Sequence, residues 1–196
     1  MNSRLMFIGV LLLTTASSSP QETQSTSGDC RIITRADLAD PNAPVFEAYR
    51  VTNRQGVSKP KLDLTSNPIA KTYRTVLRRD IVEGPNYAGH YRVVVWGCGS
   101  SCAMFAVVNL KTGRVITPKS FSAVSEVHVL ADDFLQDTES KSWVVRFKRN
   151  SKLLVAIGAL DEDDDREGAF YFLLEGESLR LIHSTVVKKN CDNTNH

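Results

Sequence analysis

The chain has 196 residues, 42% of them hydrophobic and 23% charged, with a formal net charge of +2. That is long and apolar enough for one globular domain with its own core. The near balance of 24 basic and 22 acidic side chains argues against a nucleic-acid-binding surface.

At the N-terminus, Arg4 gives a positive n-region, Leu5 to Leu13 an apolar h-region, and Thr14 to Ser18 small residues for cleavage after Ala16 or Ser18. The apolar run is too short to cross a bilayer. No cysteine follows it closely, which disfavours a lipid anchor. The expectation is a signal peptide over residues 1–18 and an exported protein, periplasmic or secreted, with no transmembrane segment after cleavage. Residues 1–16 carry only Arg4 as a charge, so their removal leaves 23 basic against 22 acidic side chains, a net +1. Residues 19–29 are polar and Ser/Thr-rich, a disordered lead-in. Residues 30–191 are then a single globular domain.

Arg31 to Ile33 and Val45 to Val51 read as short strands across the turn-rich Asp40-Pro41-Asn42-Ala43-Pro44, and Gln55 to Pro60 as a loop. Ser66 or Asn67 caps a helix over Pro68 to Asp80, because Pro68 suits its first position and Ile69, Tyr73, Val76 and Leu77 share one face. Lys71, Arg74 and Arg78 line the other face, where solvation is the simplest reading. Asn86 to Cys102, NYAGHYRVVVWGCGSSC, joins two turns to the β-branched run Arg92 to Trp96. Met104 to Leu110 and Arg114 to Ile116 flank the turn Lys111-Thr112-Gly113 as a hairpin. Val127 and Val129, then Trp143, Val145 and Phe147, alternate with polar or smaller neighbours. Lys152 to Ile157 reads as a strand buried on both sides, and Phe170 to Leu174 pairs with Leu179 to Ile182 through Glu175-Gly176-Glu177-Ser178. The fold class is therefore mainly β (α+β): an antiparallel sheet, sandwich or partial barrel of about seven or eight strands, with one amphipathic helix in the N-terminal half. Arg92 to Ile116 and Lys152 to Ile182 share an order of strands and turns, but too loosely for propeller blades.

The segment Asn86-Tyr87-Ala88-Gly89-His90-Tyr91, followed by Trp96-Gly97-Cys98-Gly99 and Cys102, resembles the shared motif of a family of uncharacterised secreted bacterial proteins. The similarity runs from about Tyr73 to about Ile116, with a weaker echo at Ser151 to Gly158. It implies export and carries no activity.

Four cysteines allow three pairings. Export into an oxidising space favours Cys30 with Cys191, near the two ends of the domain, and Cys98 with Cys102. The alternative is an envelope hydrolase or thiol enzyme with Cys98 or Cys102 as nucleophile, His90 as base and the amides of Gly97 to Ser101 as oxyanion donors. Eight residues of strand separate His90 from Cys98 by roughly 25 Å, so His128 or His183 would have to serve instead. Thiol-disulfide exchange is disfavoured by three intervening residues and no following helix. The acidic run Asp161 to Glu167 departs from a calcium loop at Arg166 and Phe172, where glycine and glutamate are needed, and reads as a solvated turn. His90 and His128 match no zinc spacing, and neither a metal nor a cofactor is expected. Trp96 is expected in the packing and Tyr87, on a turn, at the surface. The expectation is a binding module, inhibitor- or immunity-like, for a protein or envelope component, with Tyr87, His90, Tyr91, Gly99, Ser100 and Ser101 as contact residues.

Overall fold

The computed structural model describes residues 34–52, 61–125, 142 and 144–187. The signal segment, Cys30, Cys191, the strands expected at Arg31 to Ile33 and Val127 to Val129, His128, Trp143 and the Gln55 to Pro60 loop lie outside them.

Among the described residues, eight antiparallel strands form one sheet that does not close into a barrel. They are β1 (Tyr91–Gly99), β2 (Cys102–Asn109), β3 (Val115–Ile116), β4 (Val124–Ser125), β5 (Val145–Phe147), β6 (Leu153–Leu160), β7 (Glu167–Glu175) and β8 (Ser178–Val186). The long pairs β1–β2, β6–β7 and β7–β8 are sequential hairpins. The two-residue strand β4 joins the halves, pairing with β2 at Cys102–Ala103 and with β6 at Ala159–Leu160. At the other end the sheet forks, β3 adding to β2 and β5 to β6. Gly158 permits the junction: its φ is +137°, and a Cβ there would sit 2.2 Å from the Ser125 carbonyl oxygen.

The sheet bends so that the inner faces of its two halves share the central core. Val93, Phe105 and Val107 of one half meet Leu154, Ala156, Leu160, Phe170 and Phe172 of the other. The outward residues of both halves are covered too, which explains why β6, LLVAIGAL, is buried along its whole length. Val94, Ala106 and Val108 pack under two short helices, α1 (Pro68–Thr72) and α2 (Arg74–Ile81). Leu153, Val155 and Ile157 pack under the N-terminal segment through Leu38, Phe46 and Tyr49.

Two sequence expectations need correction. The single helix over Pro68 to Asp80 is broken at Tyr73, whose backbone leaves the helical region (φ −103°, ψ 25°) while its ring packs on Trp96 with centroids 4.8 Å apart. The Asn67 cap is as expected, its Oδ1 accepting from the Ile69 amide at 3.0 Å. Val45 to Val51 is not a strand: Phe46–Tyr49 is a 3-10 turn, and only Arg50 bridges to the sheet, at Ser151. Ser151, fully buried, donates from its hydroxyl to the Phe46 carbonyl at 2.9 Å and so ties this segment down.

Candidate functional site

The two halves of the Asn86 to Cys102 motif lie at opposite ends of β1. At the start of β1, the motif is spent on architecture. The Asn86 side chain behaves as a strand surrogate, accepting from the Val93 amide at 2.8 Å and donating to the Val93 carbonyl at 3.0 Å, which satisfies part of the open edge of β1. The Asn86 and Tyr87 amides both donate to the Tyr91 carbonyl. Ala88 and Gly89 complete the turn at φ 43° and 83°.

This turn closes the forked end of the sheet. Tyr87 was expected at the surface, but its side chain is 0% exposed, edge-on to Phe147 in the central core. Its hydroxyl donates to the Lys152 carbonyl on the opposite half. Burial, with a smaller contribution from Tyr91, raises its phenol well above the ordinary value. Gly89 donates to the Arg149 carbonyl at 2.9 Å, and the Tyr91 hydroxyl donates to the Gly176 carbonyl at 3.2 Å. Arg114 pairs with Glu177 across the same gap at 2.7 Å. Tyr87 is therefore not a contact residue.

His90 and Tyr91 remain half-buried beside this closure, their rings 4.3 Å apart. Both border a cleft of about 270 Å³ with Lys111, Lys152, Leu174 and Gly176. Burial first, and the Lys111 charge second, hold the His90 imidazole below its ordinary pKa. Burial, with help from Glu177, raises the Tyr91 phenol.

At the far end, β1 and β2 are joined by an exposed turn beside the β2–β4 pairing. Cys98 and Cys102 are disulfide-bonded, as expected, with Cα atoms 5.2 Å apart. Gly97 to Ser101 are all exposed. The ladder slips by one residue between Gly97 and Gly99, and the turn uses a positive φ at Gly99 (154°) and at Ser101 (51°). Trp96, just before the tip, packs on the helices as expected; its indole N–H is buried without an acceptor among the described residues.

The thiol-enzyme constellation is not assembled among the described residues. Both tip sulfurs are in one bond, and His90 lies at the other end of β1. His183, on β8, is 2.8 Å from the Asp40 carboxylate. Asp40 is held below the ordinary carboxylate range first by the Asn42 amide and then by His183. In the acidic run, Asp161 accepts from the Ser122 and Ala123 amides at 2.8 and 3.1 Å, so it anchors the chain entering β4.

A larger cleft of about 450 Å³ lies between the N-terminal segment and the outer face of β5–β7. Its charges are largely internal: Lys148 pairs with Glu47 at 2.9 Å and sits over the Phe46 ring, and Asp40 faces His183. No local sequence pattern marks Lys111, Lys152 or Ser151, because the cleft the two lysines border and the Phe46 carbonyl that Ser151 meets are brought to them by the fold. No helix among the described residues is long and apolar enough to cross a membrane. Comparison with protein-family models, curated proteins and solved structures finds no match.

Proposed function

We propose that the protein is an exported binding module, periplasmic or secreted, that presents the β1–β2 tip to a protein or envelope component in the manner of an inhibitor or immunity protein. The observation that carries this reading is that Gly99, Ser100 and Ser101 are exposed at the end of a hairpin and held by the Cys98–Cys102 bond. A tip whose backbone is restrained before association loses less conformational entropy on binding. Its small side chains suit insertion into a partner's cleft, with backbone groups and two hydroxyls for hydrogen bonding.

The test is a photo-crosslinking amino acid placed at Ser100, with Arg74 on the exposed helix face as control site, in the unreduced protein mixed with envelope extract. A discrete adduct from Ser100 alone, weakened in a Cys98→Ser/Cys102→Ser background, supports the reading. Identical adducts from both sites, or an adduct indifferent to the bond, overturns it. The exposure of Cys98 favours the thiol-enzyme alternative as the second reading, and alkylation of the unreduced protein separates the two: a labelled Cys98 or Cys102 moves catalysis forward.

A further inference from the structure

We propose that the cleft beside His90 is a binding site for a compact oxyanion, a carboxylate or phosphate monoester carried on a small apolar body. The cleft holds about 270 Å³, just below the usual range for drug-sized ligands, which suits a compact one, and is bordered by Lys111, Lys152, His90 and Tyr91 with no carboxylate. Two acids stand close to this border, each bonded to an arginine, and their charge still reaches it: Glu175 is held low first by Arg180 and then by Lys152, and Glu177 helps burial raise the Tyr91 phenol. Glu175 receives both arms of the Arg180 guanidinium, at 2.8 and 2.6 Å, and Glu177 pairs with Arg114 at 2.7 Å. Neither lysine ammonium has a carboxylate partner among the described residues, and the ring nitrogens of His90 have no protein hydrogen bond there. Two ammonium groups and one imidazole therefore belong to residues bordering one cleft whose lining holds no carboxylate. Val51, Ala88 and Leu174 supply an apolar wall, which selects a ligand with a nonpolar portion over a bare ion.

The site's frame is rigid. Lys152 directly precedes β6, and its carbonyl is held by the Tyr87 hydroxyl and the Leu174 amide. Lys111 follows β2 in a turn whose amides are gathered by the Asn109 side chain at 3.0 and 3.4 Å. The Tyr91 hydroxyl is already donated to the Gly176 carbonyl, so it shapes the wall rather than meeting the anion. The Lys111 charge that disfavours a proton on His90 is the same charge an anion would neutralise. Anion binding should thus raise the His90 midpoint. This site is independent of the hairpin tip, about a strand's length away.

The experiment follows the His90 imidazole proton by NMR in the full mature protein at constant ionic strength, with phenyl phosphate, benzoate and neutral benzyl alcohol as probes. His183, on another surface, is the internal reference. A saturable shift of His90 with phenyl phosphate assigns a phosphate site and with benzoate a carboxylate site. Either is expected to weaken at least tenfold in Lys111→Gln/Lys152→Gln, and benzyl alcohol is expected to give no saturation. Both lysines are exposed, so the double variant should fold, and its unchanged amide spectrum away from the cleft checks this. Non-saturating shifts with both anions, equal shifts at His183, or unchanged affinity in the double variant overturns the proposal.

Discussion

Replacing Tyr87 separates a turn residue from a core residue. A buried tyrosine removes about 150–250 Å² from water, which at about 25 cal/mol per Å² corresponds to roughly 4–6 kcal/mol, and large aromatic-to-alanine changes in cores cost about 3–5 kcal/mol. Tyr87→Ala should therefore lose about 4 kcal/mol, or roughly 8–16 °C in Tm for a domain of this size. Tyr87→Phe removes only the hydroxyl. The Lys152 carbonyl it leaves keeps the Leu174 amide at 3.0 Å, so the cost should stay near 1 kcal/mol rather than reach the penalty of an unsatisfied buried group. Urea denaturation of the three proteins gives both differences. The phenol adds a sign. With its folded pKa raised above the ordinary 10.0, native Tyr87 keeps a proton that the unfolded chain releases, so its contribution is full below about pH 10 and is lost as pH rises further. Wild type should lose stability above pH 10 faster than Tyr87→Phe, in which Tyr91 and Tyr171, both also raised by burial, remain. A loss under about 1 kcal/mol for Tyr87→Ala would refute the placement of this ring in the core.

Cys98→Ser/Cys102→Ser opens a loop of five residues, for which the chain-entropy estimate is about 2 kcal/mol; urea denaturation should show that loss with unchanged far-UV circular dichroism. Acid should release the N-terminal segment. Asp40 and Glu47 are both held below their ordinary values, by the Asn42 amide and His183 and by Lys148 respectively, so the contribution they make is present above the unfolded pKa and is lost as pH falls through the folded one. Hydrogen exchange of the Lys152 amide, bonded to the Tyr49 carbonyl, should lose protection relative to β7 between neutral pH and about pH 3, and less so in Asp40→Asn/Glu47→Gln, where protection is low throughout; equal protection at both pH values would contradict this. Gly158→Ala should cost about 3 kcal/mol or more, because strand β4 must move away. Gly176→Ala, with open space around it and a φ of +57°, should cost about 1 kcal/mol, and thermal melts showing equal losses would refute the tight β4–β6 approach.

The sheet was legible where one local rule governs. Alternation placed Val145 and Phe147 inward, an unbroken apolar run placed β6 between two packed faces, and Gly-containing turns marked the hairpins after β2 and β7. Strand β4 was missed because two residues, Val124 and Ser125, carry no period, and their pairing depends wholly on β2 and β6. The Val45 to Val51 expectation failed for a related reason. Phe46 and Tyr49 bury their rings against the outer face of the sheet, and an apolar pattern does not say whether burial comes through a ladder or through docking. Turn chemistry at Asn86 to Tyr91 gave the backbone correctly yet said nothing of where Tyr87 points, since its acceptor lies 65 residues away. The Asp40 to His183 pair spans 143 residues, and the Lys111 to Lys152 cleft is set by topology alone.

The motif therefore divides by energy as well as by place. From Tyr91 opposite Asn109 to Gly97 opposite Ala103, the β1–β2 ladder is continuous, and it holds the hairpin without help from sulfur. A covalent link at the point where that ladder slips adds about 2 kcal/mol, roughly half of what Tyr87→Ala should lose, and fixes the geometry of Gly99 to Ser101. At the other end Asn86, Tyr87 and Gly89 are each bonded to β1 or to the opposite half, and Ala88 packs into the central core. Perturbing the turn should thus change stability first and binding only through unfolding. Substituting Ser100 or Ser101, which leaves the disulfide in place, should change binding at nearly constant stability, and a stability loss there as large as that from Tyr87→Ala would break the division.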